Sequence, residues 1–174
     1  MRIERVAGNL TDHYDPRNKV LRLSDATYGQ CSVAAVGVAA HECGHAIQHA
    51  RGYAPLQFRS VLVPVANFGS MIAWPLIVLG LFINSQSSAL LINIGILAFS
   101  LAVLFQLVTL PVEYNASGRA VRILAETGMM QGEEIVATKK VLNAAALTYV
   151  ASAAAAILQL VRILILTGGR RRDD

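Results

Sequence analysis

The chain has 174 residues, 55% of them hydrophobic and only 15% charged, with a mean hydropathy of +0.50. A soluble domain carries about a quarter charged residues, so this composition points to a membrane protein. The formal charge of +4, with no long run of like charge and no aromatic interleaving, argues against nucleic-acid binding and leaves the basic residues as flanks of membrane spans.

The first 30 residues are polar and contain no apolar stretch of the kind a signal peptide needs. Cys31 and Cys43 are the two cysteines, too few for a disulfide framework and compatible with a reduced compartment. Residues 8–24 read as strand, turn, strand, with the turn at Asp15-Pro16-Arg17-Asn18. "KVLRLS" alternates apolar and polar, as a half-exposed strand does. Two strands alone are marginal, so this hairpin must pack on something.

Residues 32–50, "SVAAVGVAAHECGHAIQHA", predict a helix of about five turns, with Ser24, Asp25 or Ser32 as its cap and Arg51-Gly52 as its end. Four polar or ionisable groups in its second half make it a poor lipid-exposed span. Three later stretches do read as spans, at 61–83, 88–110 and 141–166. The first two carry no charge and are joined by the short polar turn "NSQSS", which makes them a helical hairpin. Pro64 and Pro75 are tolerated in a membrane helix whose neighbours take up the freed carbonyls. The alanines of the third span suggest close helix packing, and Arg162 near its end can snorkel to the head groups. The fold class expected is therefore a mostly α integral membrane protein. It has about three transmembrane helices, a motif helix and a short N-terminal β-hairpin, organised as one membrane-embedded domain over 1–174.

The chemistry sits in "HECGH". Residues four apart on a helix differ by about 40° in direction, so His41 and His45 converge on one ion. Imidazole suits zinc, and a catalytic zinc site takes three protein ligands. Glu42 points about 100° away, placed to act as general base toward an attacking water rather than as ligand. The plainer alternative is two satisfied helix histidines beside a surface glutamate. A third ligand six residues after His45 is excluded, because that position is Arg51. His49 is two turns from His41, about 12 Å in rise, and suits a supporting or substrate-side role. Counting spans gives a better candidate: two crossings return the chain to the side it left, and the first acidic residue met there is Glu113. A glutamate at a membrane helix end is costly without a partner, and a cation is one. The plainer role for it is an interfacial carboxylate paired with Arg119 or Arg122; His13, Asp15 and Glu126 are weaker candidates for the ligand.

"LTDHYDPR", "LRLS", "VAAHECGHAIQHA" and "LPVEYNASGRA", in this order over nearly the whole chain, resemble the YugP-like family of neutral zinc metallopeptidases of bacterial membranes. The resemblance implies one zinc ion held by His41 and His45, with Glu42 as general base. Glu113 as third ligand is supported by analogy with HtpX-like membrane proteases, which take a glutamate from a later helix. Those proteins place an aspartate four residues further on, where this chain has Ser117, so support of the metal must differ, with Ser117 and Asn115 as the nearest candidates. Members of the family also usually begin with a further membrane helix, which residues 1–30 do not contain.

The hairpin could offer an edge strand to an extended peptide, or simply pack on the motif helix. Arg119 and Arg122 could meet a substrate carboxylate, or simply lipid phosphate and solvent. Cys43 turns away from the metal and reads as a small packing residue. Segments 1–60 and 111–140 hold eleven Lys or Arg, which favours a cytoplasmic active site in a multi-pass bacterial membrane protein; the tail Arg170, Arg171 and Arg172 argues the other way. The function expected is an integral membrane zinc endopeptidase whose partners are the bilayer and a peptide or protein substrate. The competing class is a non-proteolytic membrane scaffold or chaperone-like partner, with zinc only stapling the motif helix to the end of the second span. A transporter is disfavoured because the span centres lack ionisable groups. Co²⁺ or Mn²⁺ in place of zinc is compatible with the same ligands.

Overall fold

The computed structural model describes residues 1–83 and 87–168. The polar turn expected between the first two spans falls mostly outside these, and the basic tail at Arg170 to Arg172 wholly so. Three strands precede four helices: β1 (Arg2–Val6), β2 (His13–Asp15), β3 (Val20–Ser24), α1 (Val33–Ala50), α2 (Ala54–Phe82), α3 (Ser88–Glu126) and α4 (Glu133–Gly168).

The expected hairpin forms as β2 and β3, paired antiparallel with Tyr14 opposite Leu21. Its turn is built by Asp15, whose Oδ1 accepts the backbone N–H of Arg17 at 2.9 Å and of Asn18 at 3.1 Å. An aspartate that bonds its own chain two residues on is a turn device. The other carboxylate oxygen accepts from Arg22 at 2.7 Å, which ties the turn to the strand that leaves it. Sequence reading missed β1, which pairs parallel to β3 from Arg2 opposite Val20 to Val6 opposite Ser24. The sheet order is β1-β3-β2, so β3 is central. It is not the half-exposed strand its alternation suggests: Val20, Leu21, Leu23 and Ser24 are all buried, and only Arg22 reaches out, to Asp15 and Glu4.

Ser32 is the cap of α1, its side chain accepting the N–H of Ala35. At the other end Gly52, with φ +62°, closes the helix. The N–H of Tyr53 reaches the carbonyl of Gln48 and that of Gly52 the carbonyl of His49, the paired bonds by which a glycine ends a helix.

The chain divides into two compact units. Unit one comprises Met1–Gln57 and Pro111–Thr148: the sheet, α1, the polar end of α3 and the start of α4. Ala40, Ala120, Leu124, Met130 and Leu142 form a buried cluster in it. Unit two comprises Phe58–Leu110 and the chain from Tyr149 onward. There glycines set the helix spacing. A Cβ on Gly69 would lie 2.8 Å from the Ala98 carbonyl oxygen, and one on Gly95 would lie 2.9 Å from that of Ala73. Contacts of this closeness between backbones are the usual packing of membrane helices.

Among the described residues, three helices are long and apolar enough to cross a membrane: α2, α3 and α4. They extend beyond the expected spans because the polar flanks stay helical. Between residues 111 and 126 the one proline is Pro111, and the chain turns after Glu126, where Gly128 and Gly132 both have positive φ.

Candidate metal centre

α1 supplies His41, Glu42 and His45, and α3 supplies Glu113, Asn115, Ser117 and Arg119. The two helices meet where α1 has no side chain. A Cβ on Gly44 would lie 2.5 Å from the backbone oxygen of Ala116, so only glycine allows this approach. The contact lies one turn of α3 from Glu113.

The Glu113 carboxylate, 3% exposed, lies between the two imidazoles. Its Oε2 is 3.2 Å from His41 Nε2 and 3.6 Å from His45 Nε2. The rings of His41 and His45 stand edge to face, 4.7 Å apart. Donor atoms of His41, Glu42 and His45 also lie within 4.8 Å of one another, with room for one metal ion. Ligands about 2.0–2.1 Å from a tetrahedral zinc ion are separated by about 3.3 Å. The spacing of Glu113 to both histidines matches that edge length, and two imidazoles with a carboxylate suit zinc chemically, so the residues fit the ion.

Two carboxylates thus flank the imidazoles, and their surroundings differ. Glu113 meets both Nε2 atoms directly. Glu42 is buried, 8% exposed, and the backbone N–H of Tyr14, on the edge strand β2, favours its charged form. Burial raises the Glu42 carboxyl above its ordinary range; the neighbouring His45 and His41 act against that rise, while Glu113 adds to it. For His45, burial disfavours the charged ring, but the hydrogen bond and charge of Glu113 outweigh it and raise the imidazole pKa.

The far nitrogens of both rings are occupied. His41 Nδ1 is 3.1 Å from Ser117 Oγ, and His45 Nδ1 is 3.0 Å from Gln48 Oε1. Sequence reading missed Gln48 entirely. The one trace of it in the sequence is its position three residues after His45, on the same helix face. Asn115 sits behind it, its Oδ1 accepting from Gln48 Nε2 at 3.0 Å and from Arg119 Nε at 2.8 Å. The Arg119 guanidinium also lies 6.0 Å from the Tyr53 ring centre. His49 is turned to the sheet, its Nδ1 2.9 Å from the Tyr14 hydroxyl. His13 bonds the Thr11 carbonyl, Asp15 belongs to the hairpin turn, and Glu126 ends α3 at the surface. Cys43 is half-buried, and burial pushes its thiol up.

The family described as "Putative neutral zinc metallopeptidase" matches residues 1–168. The chain is also similar to the "Putative membrane protease YugP" of Bacillus subtilis (strain 168), with 47% identity over 169 residues, covering 97% of this chain and 74% of that protein. No solved structure matches the chain.

Proposed function

Because the chain belongs to the neutral zinc metallopeptidase family, we propose that it is an integral membrane zinc endopeptidase. In this reading His41, His45 and Glu113 hold one zinc ion and Glu42 is the general base. The observation that carries it is the approach of one Glu113 oxygen to both Nε2 atoms, at 3.2 and 3.6 Å, beside a second, buried carboxylate. Zinc, when bound, supplies a Lewis acid that polarises a carbonyl and makes water more acidic. Glu42 takes the proton of the attacking water and delivers it to the leaving amine. The Tyr14 N–H beside Glu42 belongs to β2, an edge strand. An extended peptide lying along that edge would have its scissile bond close to Glu42. Glu113 lies at the polar end of α3, beyond its apolar stretch, so in this reading cleavage takes place at a membrane surface. The eleven Lys or Arg of the segments that form the site favour the cytoplasmic surface.

The test is Glu42→Gln in purified protein. We expect zinc to stay bound in a one-to-one ratio while hydrolysis of an unstructured protein such as casein falls at least a hundredfold. Full activity in this variant, or purified wild type without stoichiometric zinc, would sink the proposal. A cellular phenotype that survives Glu42→Gln but not His41→Ala would instead establish a zinc-stapled scaffold.

A further inference from the structure

A primary amide that is fully buried must place two N–H donors and one oxygen against suitable partners. Gln48 is 0% exposed, and its partners leave a single orientation. Arg119 can only donate, so the Asn115 atom it meets at 2.8 Å is the oxygen. That oxygen therefore faces the nitrogen of Gln48 at 3.0 Å. The backbone carbonyl of Val112, which can only accept, faces the same nitrogen at 2.8 Å. The remaining atom, Oε1, is then the one that meets His45 Nδ1 at 3.0 Å. An amide oxygen accepts only, so Nδ1 must carry the proton and Nε2 keeps its lone pair for a ligand bond. His41 is held differently: the Ser117 hydroxyl at its Nδ1 both donates and accepts, and so fixes no tautomer.

We infer that Gln48 is a positioning residue of the metal centre. Through the relay Arg119–Asn115–Gln48 it fixes the proton on His45 Nδ1, and through the Val112 carbonyl it holds the turn of α3 that carries Glu113. The inference rests on the assignment of His45 and Glu113 as ligands. It also gives Arg119 an internal task, in place of meeting a substrate carboxylate. The two jobs converge because the Val112 carbonyl and the Glu113 side chain belong to neighbouring residues. One buried amide thus sets both a ligand's tautomer and the reach of the ligand opposite it.

The test uses full-length protein in detergent micelles, with zinc affinity measured by chelator competition. Gln48→Met keeps the volume and removes both functions, and should weaken zinc binding 10–100-fold. Arg119→Met frees Asn115 to turn over and should weaken it by a smaller factor, at least threefold. In zinc-loaded wild type labelled with ¹⁵N-histidine, the His45 Nδ1–H should give a protected proton resonance. That resonance should be lost in Gln48→Met, a change that looser packing alone would not produce. Zinc affinity within twofold of wild type in Gln48→Met overturns the inference, provided His45→Ala has lost zinc. If His45→Ala binds zinc as well as wild type, the ligand assignment itself has failed and the inference falls with it. Should Gln48→Met not fold, Arg119→Met decides: unchanged affinity and an unchanged His45 resonance overturn the relay.

Discussion

In the proposed reading Glu42 and Glu113 are the same side chain put to different work. Glu113 approaches both Nε2 atoms, whereas Glu42 is one residue past His41 and lies beside a strand N–H. Substituting each by glutamine should therefore separate binding from chemistry. Glu113→Gln should lower zinc affinity by more than the roughly 10–100-fold expected of an outer contact, and Glu42→Gln should leave it within a few-fold. Isothermal titration of the metal-free proteins with zinc measures both; equal losses in the two variants would rule out the division of labour. His41, Glu42 and His45 were legible in sequence because helical geometry alone makes a four-residue spacing converge. Gln48 was not, because a lone glutamine in the polar half of a helix looks like a solvated residue. Only the approach of α3, unseen in a linear reading, buries it completely. Ser117 and Asn115 were picked out as candidate supports, and they lie against His41 and Gln48 respectively.

At the scale of elements, the packing of α1 on α3 depends on Gly44. Its would-be Cβ meets a backbone carbonyl at 2.5 Å, which no rotamer change can relieve. Gly44→Ala must push the helices apart, at a cost of about 1–3 kcal/mol typical of overpacking. The same shift would pull Glu113 from the histidines. Thermal melts in detergent should show the lost stability and titration a loss of zinc binding; an unchanged melt would mean the helices meet elsewhere. The hairpin makes a second prediction. Side-chain and backbone bonds from Asn18, then those from Arg17 and Arg22, lower the Asp15 carboxyl from its ordinary 3.8 to about 2. Its folded pKa is depressed, so its stabilising effect is complete above 3.8 and is lost as pH falls through about 2. Amide protection of β2 and β3 should stay constant from pH 7 to 4 and drop below that, and Asp15→Asn should remove the drop. The turn itself was readable from Asp-Pro-Arg-Asn. The partner strand β1 was not, because parallel pairing with β3 is a non-local event and Arg2–Val6 is mostly exposed, with no alternating buried face.

For the whole molecule, the spans were plain in the sequence, because an uncharged run of about 20 residues has few other uses. The helices' full lengths were less plain, since polar flanks carry no apolar signal even when they remain helical. Crossing arithmetic linked "HECGH" to a glutamate some 70 residues later, and those two segments share one compact unit. Which side of the membrane that unit occupies is a separate question, on which charge makes a prediction. Eleven Lys or Arg lie in the segments that make the site, so the positive-inside bias predicts a cytoplasmic site, against the pull of Arg170, Arg171 and Arg172 in the tail. The chain carries its own reporter, because Cys31 is an exposed free cysteine in the same unit. Ser88 starts α3, and it lies roughly 25 residues before Glu113, about 37 Å of helical rise and more than a hydrocarbon core is thick. In a Cys43→Ala background, a membrane-impermeant maleimide should leave Cys31 unlabelled in intact spheroplasts and label it in inverted vesicles. A cysteine moved to position 88, with Cys31→Ser, should show the opposite pattern. Labelling of Cys31 from outside would place proteolysis on the outer face. Labelling of both positions from one side would mean that α3 does not cross the membrane, and the crossing arithmetic that links Glu113 to the motif would have to be abandoned.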